Sequence, residues 1–167
     1  MSKLGADLGL KAGDAAGLAV RIIVAGFNRA YTARLLGSAQ ARLRALRAPE
    51  PRVDWVPGAL ELPLAARWAV ATGRVDAVVA LGCVIRGETS HYDLVCRGAL
   101  DGLQRVALDS GVPVLFGVIT VENAAQALAR CRGGNMDAGR HAAEAAVAMA
   151  RLGRRAPRPR RLPKPKG

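Results

Sequence analysis

The chain has 167 residues, 51% of them hydrophobic but only 4% aromatic, and carries a formal net charge of +12. That length fits one domain with a core built from Ala, Val and Leu, needing no metal or disulfide to hold it. No apolar run is long enough to span a membrane, residues 1–14 lack the apolar stretch of a secretory signal, and three cysteines without CxxC spacing argue against a disulfide framework or a zinc site, so a reducing cytoplasm is the expected compartment.

In chain order, Ala19–Ala25 (AVRIIVA) is a β-branched apolar run of strand length. Asn28 is placed to cap a helix through Ala48, in which Tyr31, Leu35, Leu36, Ala39, Leu43 and Leu46 recur at helical spacing and Pro49 and Pro51 end the pattern. Val53–Val56 predicts a second short strand. Pro57-Gly58 breaks the chain before a helix over Glu61–Thr72, which Gly73 terminates. Asp76–Ile85 (DAVVALGCVI) is apolar at consecutive positions, as a strand buried on both faces must be. Thr89 or Ser90 can cap the next helix, running to about Asp109. Pro113–Thr120 (PVLFGVIT) predicts another buried strand, followed by a helix over about Glu122–Cys131. A glycine-rich loop, Arg132–Gly139, leads to an Ala-rich helix over about His141–Leu152.

The charge excess sits at the end of the chain. Of 25 basic residues, eight fall between Arg151 and Gly167 with no acid among them, leaving 17 against 13 acids, or +4, on the rest. Pro157, Pro159, Pro163 and Pro165 prevent a helix there. The expected organisation is a flexible segment over 1–17, a folded domain over 18–152 and a basic, disordered Pro/Arg-rich tail over 153–167. Such a tail binds polyanions at non-specific strength, with strong salt dependence.

Apolar strands alternating with helices predict an α/β fold, a parallel sheet covered on both faces and joined by right-handed crossovers. Ligands gather at the carboxyl ends of such strands, which directs attention to the loops at 26–28, 57–61, 84–91 and 120–123. Phe27 follows the first strand directly; it can stack on a flat heterocycle or plug the core at the helix entrance, and the residues alone favour the plug. Glu61 opens a helix, where it either complements the helix dipole or accepts from a polar ligand, the dipole being the simpler reading. The loop Arg86-Gly87-Glu88-Thr89-Ser90-His91 joins a glycine to two hydroxyls at a helix mouth, an arrangement suited to an anion. His91 there is suited to proton transfer, or is structural. No GxxxxGK[ST], GxGxxG or GxSxG pattern is present, and no metal-ligand spacing.

Four segments carry a resemblance: IVAGFN (23–28), VPGALELP (56–63), ALGCVIRGETSHYDLVC (80–96) and PVLFGVITVENAAQALAR (113–130). In order and spacing they resemble the signatures of the lumazine synthase family, over most of 23–152. The resemblance implies a three-layer α/β/α sandwich with a central four-stranded parallel sheet of flavodoxin-like type. It implies condensation of 5-amino-6-(D-ribitylamino)pyrimidine-2,4-dione with 3,4-dihydroxy-2-butanone 4-phosphate, giving 6,7-dimethyl-8-ribityllumazine, phosphate and water in riboflavin biosynthesis. Neither a metal nor a redox cofactor is needed for that chemistry.

By the same resemblance, Phe27 stacks on the pyrimidinedione, and Ala59, Leu60 and Glu61 hold the ribityl chain and ring edge. Val84 and Ile85 line the ring pocket through their backbone. Gly87, Glu88 and Thr89 shape the phosphate cradle, and His91 transfers protons. Phe116 and Arg130 come from a neighbouring subunit, over the ring and onto the phosphate. The family's Lys-Gly pair at the start of the last helix is replaced by Gly139-Arg140-His141-Ala142, so Arg140 or His141 stands in for the lysine, His141 only when protonated. The resemblance implies a homopentamer or an assembly of pentamers, with the long 132–139 loop favouring the free pentamer. Two alternatives remain: a lumazine- or flavin-binding paralogue with weak catalysis, and a polyanion-binding protein acting through the tail.

Overall fold

A computed structural model describes residues 8–156. Its order is β1 (Val20–Ala25), α1 (Arg29–Ala45), β2 (Arg52–Val56), a 3-10 turn (Ala59–Glu61), α2 (Leu62–Ala71), β3 (Ala77–Ile85), α3 (His91–Ser110), β4 (Val114–Val121), α4 (Ala124–Ala129) and α5 (Ala138–Arg155). The four strands form one parallel sheet in the order β2-β1-β3-β4. This is the expected α/β sandwich, with the strand order of a flavodoxin-like sheet. Among the described residues no helix is long and apolar enough to cross a membrane.

Period-two alternation along the strands sorts the core into two layers. Val20, Ile22 and Val24 of β1, with Val79, Leu81 and Cys83 of β3, face α1, α4 and α5. Ile23 and Ala25, with Val78, Ala80 and Val118, face α2 and α3. Small residues set how closely the helices approach. A Cβ at Gly98 or Gly102 of α3 would meet Leu60 Cδ2 at 2.9 Å or Pro63 Cγ at 2.7 Å, so these glycines let α3 lie against the 3-10 turn and α2. On the opposite layer, a Cβ at Gly139 would overlap the Leu35 carbonyl, so the start of α5 crosses α1 where only glycine fits.

Several boundaries differ from the expectation, each for a local reason. Asn28 does not cap α1 with its side chain; its backbone is left-handed (φ 57°) and its amide serves elsewhere. The helix ends at Ala45 because Arg47 turns left-handed (φ 63°), with Ala48 N–H bonded to the Leu43 carbonyl and Arg47 N–H to the Arg44 carbonyl. That is a Schellman ending with arginine at the position glycine usually takes. α5 begins at Ala138, inside the segment read as loop, because Asp137 caps it through the Arg140 N–H at 2.9 Å.

The folded region also extends past residues 18 and 152. Ala15 is fully buried, Gly13 and Ala15 N–H groups bond the Leu46 carbonyl, and Asp14 pairs with Arg151 at 2.7 Å. Arg154 joins Asp76 to the Gly17 carbonyl, fastening the end of α5 to the chain entering β1. The remainder of the basic tail, 157–167, lies outside the described residues, as do 1–7.

Candidate functional site

At the carboxyl ends of β1 and β3, where the strand order reverses, the loops enclose a cavity of about 440 Å³. Its first wall is stitched by the backbone: Gly26 N–H donates to the Val56 carbonyl (2.7 Å) and Phe27 N–H to that of Pro57 (3.0 Å). A Cβ at Gly26 would sit 3.3 Å from the Val56 oxygen, so glycine allows this approach. The turn throws Phe27 outward over the cavity with 74% of its surface exposed, which rules out the core plug. A phenyl ring left in water forgoes roughly 2 kcal/mol of burial, which a flat ligand can recover. Asn28 then adopts a left-handed backbone, tolerable for Asn, and donates its amide to the Cys83 carbonyl at 2.9 Å, tying the ends of β1 and β3 together.

Ala59, Leu60 and Glu61 form the opposite wall, with the Glu61 carboxylate 3.2 Å from where a Gly58 Cβ would be. Val84 and Ile85 supply the floor. Cys83 borders it as well, but burial pushes its thiol up to about 12, so it is neutral and no nucleophile near pH 7. Gly87, Thr89 and His91 close the rim at the mouth of α3. Thr89 Oγ1 accepts the His91 N–H at 3.4 Å, while Ser90, at the cap position, makes no side-chain cap bond. The helix mouth therefore opens toward the cavity beside an exposed imidazole, and the combination can receive an anion and exchange a proton.

Phe116, Arg130 and His141 lie elsewhere. They line a second cavity, about 400 Å³, on the outer side of β4, together with Thr120 and Ala138. Arg130 caps the end of α4, one guanidinium nitrogen donating to the Gln126 carbonyl at 3.1 Å. The two cavities share no lining residue. Glu88 and Arg140 line neither. Arg140 is instead 3.1 Å from Glu144 Oε1, the same oxygen that Arg42 of α1 approaches at 2.7 Å. The sequence points to the loops that hold Asn28 and Thr120 without giving either residue a role in the site, and it does not single out Tyr92 or Ala138, which border the first and second cavities.

The family model for 6,7-dimethyl-8-ribityllumazine synthase matches residues 17–154. A protein of that name from Salinibacter ruber is 46% identical over 133 residues, covering 78% of this chain and 85% of its own length. One from Coxiella burnetii is 45% identical over 133 residues, covering 78% and 88%. With motif, fold and cavity in agreement, the chain belongs to the 6,7-dimethyl-8-ribityllumazine synthase family.

Proposed function

We propose that the chain makes 6,7-dimethyl-8-ribityllumazine from the ribitylaminopyrimidinedione and the butanone phosphate, in the cytoplasm, at a site closed between two copies of itself. The observation that carries this is the division of most of the expected site residues between two cavities that share no lining residue. A second copy presenting its Phe116 and Arg130 to the first copy's Phe27 and His91 completes the site. A ring of five such contacts is the assembly the family resemblance implies.

In this reading Phe27 stacks on the pyrimidinedione, Glu61 accepts from ribityl hydroxyls, and the backbone of Val84 and Ile85 lines the ring. Gly87 and Thr89 receive the phosphate with the neighbour's Arg130, whose planar guanidinium suits two phosphate oxygens. The 5-amino group attacks the ketone and one water leaves. Phosphate is then eliminated, the resulting enol becomes a ketone, and the ribityl-bearing amine closes the ring with loss of a second water. His91 moves protons in these steps, and juxtaposition supplies the rest of the acceleration.

The family lysine is replaced by Arg140 or His141. Of the two, His141 borders the Arg130 cavity, whereas Arg140 is held by Glu144. We assign the substitute role to His141. The loss of the lysine at 140–141 also favours the second reading, a lumazine- or flavin-binding protein with slow catalysis. The deciding experiment is product formation by purified protein, followed by lumazine absorbance. Turnover that collapses in His91→Ala supports the synthase; no turnover with tight lumazine binding supports the second reading.

A further inference from the structure

We propose that Arg86, which lines neither cavity, is a positioning residue that clasps the loop carrying Gly87, Thr89 and His91 into its binding shape; this rests on the function proposed above. Arg86 leaves the sheet immediately after β3, its N–H bonded to the Val121 carbonyl at 2.9 Å. Its guanidinium meets both oxygens of Asp93, at 3.3 Å and 3.1 Å, and its Nε lies 2.9 Å from Glu122 Oε2. The same group sits over the Tyr92 ring, 4.1 Å from the centroid.

One side chain therefore joins three places: the exit of β3, the first turn of α3 and the residue after β4. The Arg86–Asp93 pair brackets the loop. Everything between, from Gly87 to Tyr92, hangs from the two ends of that contact. Gly87 has open space around its α-carbon, and the one side-chain bond within the loop is the long Thr89–His91 contact. The loop thus has little else to define its shape. Tyr92, beneath the guanidinium, lines the first cavity, and Asp93, the guanidinium's partner, borders a groove with Phe116 and Thr120, which line the second. The clasp stands between the two half-sites.

The carboxylates are more than half exposed and Arg86 is 38% exposed, so each ion pair alone is weak. The bidentate geometry and the ring contact make the cluster worth more than one screened pair. Loosening it is expected to weaken phosphate binding about tenfold, equivalent to about 1.4 kcal/mol.

The test uses full-length protein, steady-state kinetics with both substrates, and competition by inorganic phosphate. Arg86→Met should raise KM for the butanone phosphate and the inhibition constant for phosphate about tenfold, while KM for the pyrimidinedione stays within twofold. Arg86→Lys, which keeps charge but not the fork, should fall between. Asp93→Asn and Glu122→Gln give the sharpest contrast. Each removes a negative charge near an anion site, so simple electrostatics, or direct phosphate contact by a freed Arg86, predicts tighter phosphate binding. Positioning predicts weaker binding, about threefold each. Tighter binding in these variants, or an unchanged KM in Arg86→Met, overturns the proposal. If the wild-type protein shows no turnover, the synthase reading fails, and direct phosphate titration of the same variants still decides the clasp by the sign of the change.

Discussion

Asp137 is expected to be the most consequential polar residue outside the cavities, and Asp137→Ala tests that. The side chain is 1% exposed and fully engaged. Oδ1 accepts the Ser38 hydroxyl at 2.6 Å and the Arg140 N–H at 2.9 Å, and Oδ2 accepts the Gly133 N–H at 2.8 Å. One residue thus caps α5, shapes the loop after α4 and holds α1. Loss of the cap costs about 1 kcal/mol. The Ser38 hydroxyl and Gly133 N–H, left in partly buried surroundings, add about 1 kcal/mol each. The sum is about 3 kcal/mol, or a fall in Tm of roughly 6–12 °C for a domain of this size. Asp137→Asn keeps an acceptor at the Oδ1 position but turns a donor toward Gly133 N–H, so about half that loss is expected. Urea and thermal unfolding followed by circular dichroism, at one fixed protein concentration because assembly adds to stability, give both numbers. A loss below about 0.5 kcal/mol for the alanine variant, or a larger loss for asparagine than for alanine, refutes the accounting. Because the lost Asp137 Oδ1 bond to Arg140 N–H caps the turn that carries His141, the alanine variant should also loosen the Arg130–His141 cavity.

Phe27→Ala should leave the melting temperature unchanged, since the ring is 74% exposed, and raise KM for the pyrimidinedione roughly tenfold or more, the usual worth of a ring stacked on an aromatic side chain; an unchanged KM removes Phe27 from the site. Arg130→Ala should raise KM for the butanone phosphate without altering that for its co-substrate, and equal changes in both would point to a folding defect instead. Acid titration examines Asp54, whose carboxyl the Arg21 hydrogen bond holds below its ordinary value of 3.8, against the opposing effect of burial. A lowered folded-state pKa means the stabilisation is complete above the ordinary value and is lost as pH falls through the lower one. Urea midpoints from pH 5 down to 3 should therefore drop faster in the wild type than in Asp54→Asn, and parallel curves would discount the Arg21–Asp54 pair.

Much of the fold is readable from local pattern. The strands are legible because β1 and β3 are largely apolar on both faces, a feature that a sheet covered by helices on each side produces. What failed was capping. Asn28 has the chemistry of a cap, but its amide finds the Cys83 carbonyl 55 positions away, and no window of neighbouring residues contains that partner. Arg47 takes a left-handed turn that sequence rules reserve for glycine. Gly139 looked like a loop residue because glycine disfavours helices; its position in α5 is dictated by the Leu35 carbonyl across the crossing, a tertiary constraint.

For the candidate site, the loops at the carboxyl ends of the strands are readable, but how each side chain sits in them is not. Phe27 shows why geometry matters: from sequence a core plug and an exposed stacking ring look alike, and the pair of backbone bonds from Gly26 and Phe27 to the β2 exit decides the matter. Phe116 shows the reverse. Its strand reads as buried throughout, yet β4 is an edge strand and Phe116 is only half-buried, beside exposed Leu94 and Leu100 of α3. An apolar edge next to Arg130 and His141 is poor design for a surface that stays in water. It suits a surface covered by a second copy, as the proposed assembly requires. His91 lines the first cavity and Arg130 the second, so in the proposed ring each copy would take part in two sites: the one its own His91 borders and the one its own Arg130 would complete next door.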